Sequence, residues 1–110
     1  MLEFNGSFIE FSALLQQKSA VLAYFSTEEC QVCKVLKPKV IEMITEHFEQ
    51  LSPVYVPINT NPEIAGQCRI FAVPTIVIFF EGKEFIRKSR GFSLEELKND
   101  LLRPYRLLFS

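Results

Sequence analysis

At 110 residues, 48% of them hydrophobic, the chain reads as one domain, residues 1–110, large enough to bury a core without metal or disulfide staples. Twelve basic against thirteen acidic residues leave a net charge of -1, which argues against a basic nucleic-acid face and against a polyanionic tail. Three cysteines, few and odd in number, do not make a secreted disulfide scaffold.

Met1–Gly6 carries no basic start and no apolar run, so no signal peptide is expected, and Leu2–Phe4 is a weak first strand. Ser7 with Glu10 forms a capping box, followed by Phe8, Phe11 and Leu15 on one helical face. Ala20–Phe25 is a short apolar run, a buried strand. From Val32 to Phe48 the apolar residues Val32, Leu36, Val40, Ile44 and Phe48 predict one inward face of a long helix. Val54–Ile58 is a second strand, weakened by Pro57. Asn61-Pro62-Glu63 supplies an N-cap, an N1 proline and a first-turn acid for a short helix. Thr75–Phe80 is a β-branched and aromatic buried strand. Glu81-Gly82-Lys83 turns the chain into a more polar edge strand, Glu84–Lys88. Ser93 and Glu96 form a second capping box before a helix with Leu94, Leu97 and Leu101 inward, which Pro104 is expected to end. Alternating helices and strands predict an α/β fold with helices on both faces of one sheet. The longest apolar stretch, Ile70–Phe80, is too short for a bilayer and is broken by Pro74, so no membrane partner is expected.

Cys30 and Cys33 stand where the first apolar strand gives way to the long helix. Unpaired N–H groups and the macrodipole at a helix start favour a thiolate, the attacking species in thiol exchange. The two-residue spacing lets Cys33 reach Cys30, so Cys30 can open a substrate disulfide and Cys33 can then release the product. A zinc site or two incidental thiols are the other readings. Zinc wants four ligands, and beside the pair only Cys68 and His47 remain. In a reducing cytoplasm, the expected location, a close pair of thiols is metal-binding or redox-active more readily than structural. Cys68, near the end of the short helix, reads as a packed small hydrophobe, and His47 as a surface residue.

The chain resembles the thioredoxin family. Phe25 lies five residues before Cys30, Lys34 follows Cys33, and Pro38 falls five residues after it. Asn61-Pro62 and Val73-Pro74-Thr75 stand at the family's spacing, and Gly82 and Gly91 match its later glycines with one extra residue between them. The resemblance spans Leu14 to Leu102 and implies a thioredoxin-like fold, a central mixed sheet of four or five strands. It further implies that Pro74 is cis, that Val73 offers backbone groups to an extended substrate, and that Gly91 and Phe92 border the same groove. The implied activity is reduction of protein disulfides at Cys30 and Cys33, a redox-active disulfide when oxidised, with no cofactor. A thioredoxin reductase is the implied electron donor and cell redox homeostasis the implied setting.

The departures are local. Glu29 stands where the family carries Trp, and Gln31-Val32 where it carries Gly-Pro. Its charge opposes the helix-start effect on Cys30. Tyr24 replaces the buried Asp that helps deprotonate the second cysteine, and Tyr55 replaces that acid's Lys partner. These departures keep open a thioredoxin-fold binding or adaptor domain with little catalysis. The tail Arg103–Phe109 lies beyond the resemblance and is expected to pack back on the body; the alternative is a docking patch.

Overall fold

The computed structural model describes residues 1–109. In chain order they form β1 (Leu2–Glu3), α1 (Phe8–Gln17), β2 (Ala20–Ser26), α2 (Gln31–His47), β3 (Ser52–Pro57), α3 (Pro62–Gln67), β4 (Thr75–Phe80), β5 (Lys83–Ser89) and α4 (Leu94–Phe109). The sheet has five strands in the order β1-β3-β2-β4-β5. β3 runs parallel to β1 and β2, β4 antiparallel to β2, and β5 antiparallel to β4. This is the mixed sheet of the thioredoxin-like fold, at the upper of the two expected strand counts.

β2 and β4 are buried along their whole length because side chains leave alternate faces and helices cover both. Leu22 and Tyr24 point into the layer that holds Val40, Ile44, Leu97 and Leu101. Val21, Ala23 and Phe25 point into the layer that holds Phe11, Leu15 and Ile64. Phe11 centres the second layer, with its ring edge-on to Phe4, Phe25 and Phe79 at 5.4–6.3 Å. No helix among the described residues is long and apolar enough to cross a membrane.

Several local expectations are corrected. β3 begins at Ser52 and ends at Pro57 rather than covering Val54–Ile58. Both of its prolines are tolerated for one reason. The Ile58 N–H reaches Ser26 on β2 and the Tyr55 C=O reaches Phe4 on the other side. Alternation therefore turns Pro53 and Pro57 toward the β1 side, and β1 pairs only with Val54 and Tyr55. The missing N–H groups lie outside those two paired positions, and the Phe4 carbonyl accepts the Asn61 amide at 3.2 Å instead.

Val32 is not inward but 66% exposed, and Cys33 and Met43 are buried on the core side instead. Each i, i+4 step advances about 40° past a full turn, so a stripe of five such residues cannot hold one face. Asn61 makes no side-chain cap to α3. Its amide donates to Pro57 O at 2.8 Å and its Oδ1 accepts the Gly6 N–H at 3.0 Å, which ties the β1–α1 loop to α3. The second capping box is half made. Ser93 Oγ accepts the Glu96 N–H, while the Glu96 carboxylate meets Lys88 Nζ at 3.0 Å.

Pro104 does not end α4, which continues to Phe109. An internal proline costs a helix about 3 kcal/mol. Packing of the last turns offsets that cost: Tyr105, Leu108 and Phe109 lie against the core, and the Tyr105 ring sits 5.0 Å from Phe48. The Tyr105 hydroxyl also accepts the Gln50 N–H at 3.0 Å. The tail thus packs on the body, with Leu107 left exposed.

Candidate active site

The cysteine pair is built by the end of β2. A turn closed by the Cys30 N–H on Thr27 O leads into α2, with Cys30 as its N-cap. Cys30 Sγ accepts the Cys33 N–H at 3.2 Å, so a sulfur takes the capping role that a hydroxyl or carboxylate usually fills. That N–H and the start of the helix direct positive potential at the sulfur and favour its thiolate. Cys30 is half-buried, and Cys33, one turn into the helix, is 1% exposed. The two are joined as a disulfide with Cα atoms 5.2 Å apart.

Tyr24 lies beneath the pair, fully buried on β2. Its hydroxyl donates to the Cys33 carbonyl at 2.7 Å, which pins the first turn of α2 to the sheet. Burial, with Tyr55 as a second cause, pushes its ionisation up to about 12. At neutral pH the phenol is a donor and not a base. Tyr55 sits beside it, ring centroids 6.3 Å apart, and Lys37 Nζ lies 4.3 Å from the Tyr55 ring centre, a cation–π contact.

Two cavities flank the pair. One, about 450 Å³, is lined by Cys30, Val73, Pro74, Gly91 and Phe92. All the anticipated site residues except Cys33 therefore line one groove, and Cys33 is bonded to Cys30 behind it. The Val73–Pro74 peptide is cis. Thr75 Oγ1 donates to Ala72 O at 2.6 Å, and the Arg90 N–H donates to Pro74 O at 3.2 Å, so the segment is held from both sides. Gly91 has φ 79°, and a Cβ there would meet nothing within 4 Å, so backbone conformation and not space calls for glycine. The second cavity, about 380 Å³, opens on the other side at Cys33, Glu28, Lys34, Lys37 and Tyr55.

Sequence reasoning missed Val32, Leu36 and Arg90 in the groove and Lys37 in the second cavity. Only the position of Arg90 directly before Gly91 could have marked it. A larger cavity, about 870 Å³, lies elsewhere, around Cys68, Phe71 and Arg87. Cys68 is the one thiol lining it, and burial raises the Cys68 pKa, so that thiol is the poorer nucleophile.

The sequence model of the family described as Thioredoxin matches residues 6–103. The chain is 28% identical over 109 residues to the thioredoxin-like protein YdfQ of Bacillus subtilis, covering 97% of this chain and 96% of that protein. It is 30% identical over 93 residues to the bifunctional thioredoxin reductase/thioredoxin of Mycobacterium leprae, covering 81% of this chain and 20% of that protein. The solved structure of Fasciola hepatica thioredoxin superposes with a TM-score of 0.82 at 25% identity, over 94% of this chain and 98% of that one.

Proposed function

The chain belongs to the thioredoxin family and is a thiol–disulfide oxidoreductase, and we propose that it works as a reductant of protein disulfides through Cys30 and Cys33. The observation that carries this reading is the Cys30 sulfur at the start of α2, accepting the Cys33 N–H and reachable from the groove. In the reduced protein, the Cys30 thiolate attacks one sulfur of a substrate disulfide. The substrate S–S bond breaks, a Cys30–substrate bond forms, and the departing substrate sulfur takes a proton. Cys33 then loses its proton and attacks Cys30. The mixed disulfide breaks, the second substrate thiolate leaves and is protonated, and the Cys30–Cys33 bond forms. Two electrons pass from the dithiol to the substrate.

Val73 would offer its backbone to an extended substrate segment in the manner of an added strand, beside Pro74, with Gly91 and Phe92 as the opposite wall. The half-buried Val73 and the open backbone at Gly91 support this. A thioredoxin reductase would restore the dithiol, a proposal supported by the fused reductase of the Mycobacterium leprae relative. The setting would be the cytoplasm, and the role maintenance of cell redox balance. The test is reduction of a model protein disulfide with thioredoxin reductase and NADPH, followed as NADPH oxidation. Steady turnover is expected. If turnover fails with the reductase but the pre-reduced protein still cleaves the disulfide, the donor is wrong. If both fail, disulfide reduction is refuted.

A further inference from the structure

We propose that the groove beside Cys30 selects disulfides flanked by a carboxylate, and that Arg90 is the residue that makes the selection. The proposal rests on the reading of Cys30 as the attacking thiol and names its substrate class. Five of the side chains lining the groove, Val32, Leu36, Val73, Pro74 and Phe92, are apolar. Arg90 is the one charged residue among those that line it. Its backbone is anchored beside the cis peptide, because its own N–H is bonded to the Pro74 carbonyl at 3.2 Å, and its side chain is free to reach a substrate in the groove.

The neighbouring cations show what distinguishes it. The Arg87 guanidinium is engaged by Glu84 and by the Cys68 and Arg69 carbonyls. Lys88 Nζ is held between Glu96 at 3.0 Å and Asp100 at 2.7 Å. Arg90 is exposed and has no ion-pair partner among the described residues. A guanidinium with open donors at the edge of an apolar groove matches a carboxylate in charge and in its two-pronged geometry. Glu28 lines the cavity on the Cys33 side, where Lys34 and Lys37 accompany it, so charge there is mixed, whereas the groove beside Cys30 carries Arg90 alone. A basic substrate segment therefore meets a like charge in the groove, and an acidic one a complementary charge.

The test uses pre-reduced protein in single turnover, which needs no electron donor. Three peptide disulfides differ only in having Glu, Gln or Lys two residues to either side of the cysteine. Each rate constant is divided by that of dithiothreitol with the same peptide, which removes the effect of flanking charge on the leaving thiol. The expected order is Glu, then Gln, then Lys, with roughly two- to fivefold between steps, the scale of a solvent-exposed ion pair. The spread should shrink in about 1 M salt, where screening acts within roughly 3 Å. Arg90→Gln should collapse the order and Arg90→Glu should invert it. Equal normalised rates for the wild type, or an unchanged order in Arg90→Glu, overturn charge selection while disulfide reduction stands. Absence of cleavage of all three peptides overturns the reading of Cys30 and this proposal with it.

Discussion

Tyr24 stands where members of the thioredoxin family place a buried acid, and its surroundings define what replaces that acid. The hydroxyl is committed to the Cys33 carbonyl, and burial holds the phenol protonated up to about pH 12. In the proposed scheme Cys33 must lose its proton while 1% exposed, and desolvation opposes that ionisation. Resolution of the mixed disulfide should therefore be slow at neutral pH and speed up as pH rises. Tyr24→Asp places a base beneath Cys33 and should accelerate resolution roughly tenfold or more near pH 7. It should also cost about 3 kcal/mol of stability or more, because it opens a cavity and buries an acid. Single-turnover decay of a Cys30-linked substrate checks the rate. An unchanged rate in a folded variant would mean that another group already takes the proton. The same phenol makes a claim about stability. Unfolded, it ionises near pH 10. Folded, it keeps its proton up to about 12, so its contribution is whole below about pH 10 and is lost as pH rises through 12. Tyr24→Phe should be about 1 kcal/mol less stable at neutral pH, from the lost hydrogen bond, and should lose stability less steeply between pH 10 and 12. Equal steepness in circular-dichroism melts of the two proteins would contradict this.

Among the elements, chemistry sits where strand gives way to helix, and the connections there are held by side chains. Asn61 is the clearest case. It is buried, and its single amide satisfies the Gly6 N–H and the Pro57 carbonyl across more than fifty residues of chain. Asn61→Ala leaves both without that partner and should destabilise the fold by about 2–3 kcal/mol, read from chemical denaturation. A loss below about 0.5 kcal/mol would show that solvent replaces the amide. Element types were legible in the sequence because caps and periodicity are local signals. Ser7 with Glu10 marked α1, and the β-branched run marked β4. What failed was set at a distance. Pro104 carries a local stop signal, yet the Tyr105 ring packs on Phe48, a partner that no window of sequence contains. Val32 matched its stripe by spacing but is exposed at the groove beside Cys30, while Val40 and Ile44 are buried in the core.

For the molecule as a whole, two apolar layers hold one sheet rigidly and leave its working end open. Cys30, Val73, Pro74, Gly91 and Phe92 come from three separate stretches and meet in one groove. That meeting was legible only because the spacings resemble a known family; no period or cap would have brought Gly91 to Cys30. Arg90 and Lys37 were not legible, since a single charge carries no pattern and its neighbours are decided by tertiary packing. The central claim, that Cys30 opens substrate disulfides and Cys33 resolves them, is tested most directly by trapping. Cys33→Ser removes the intramolecular exit, so reaction with a peptide disulfide should leave a stable adduct. Peptide mapping by mass spectrometry should find it on Cys30, with little on the half-buried, weakly acidic Cys68. Adducts in equal yield on Cys68, or none on Cys30, would contradict the account.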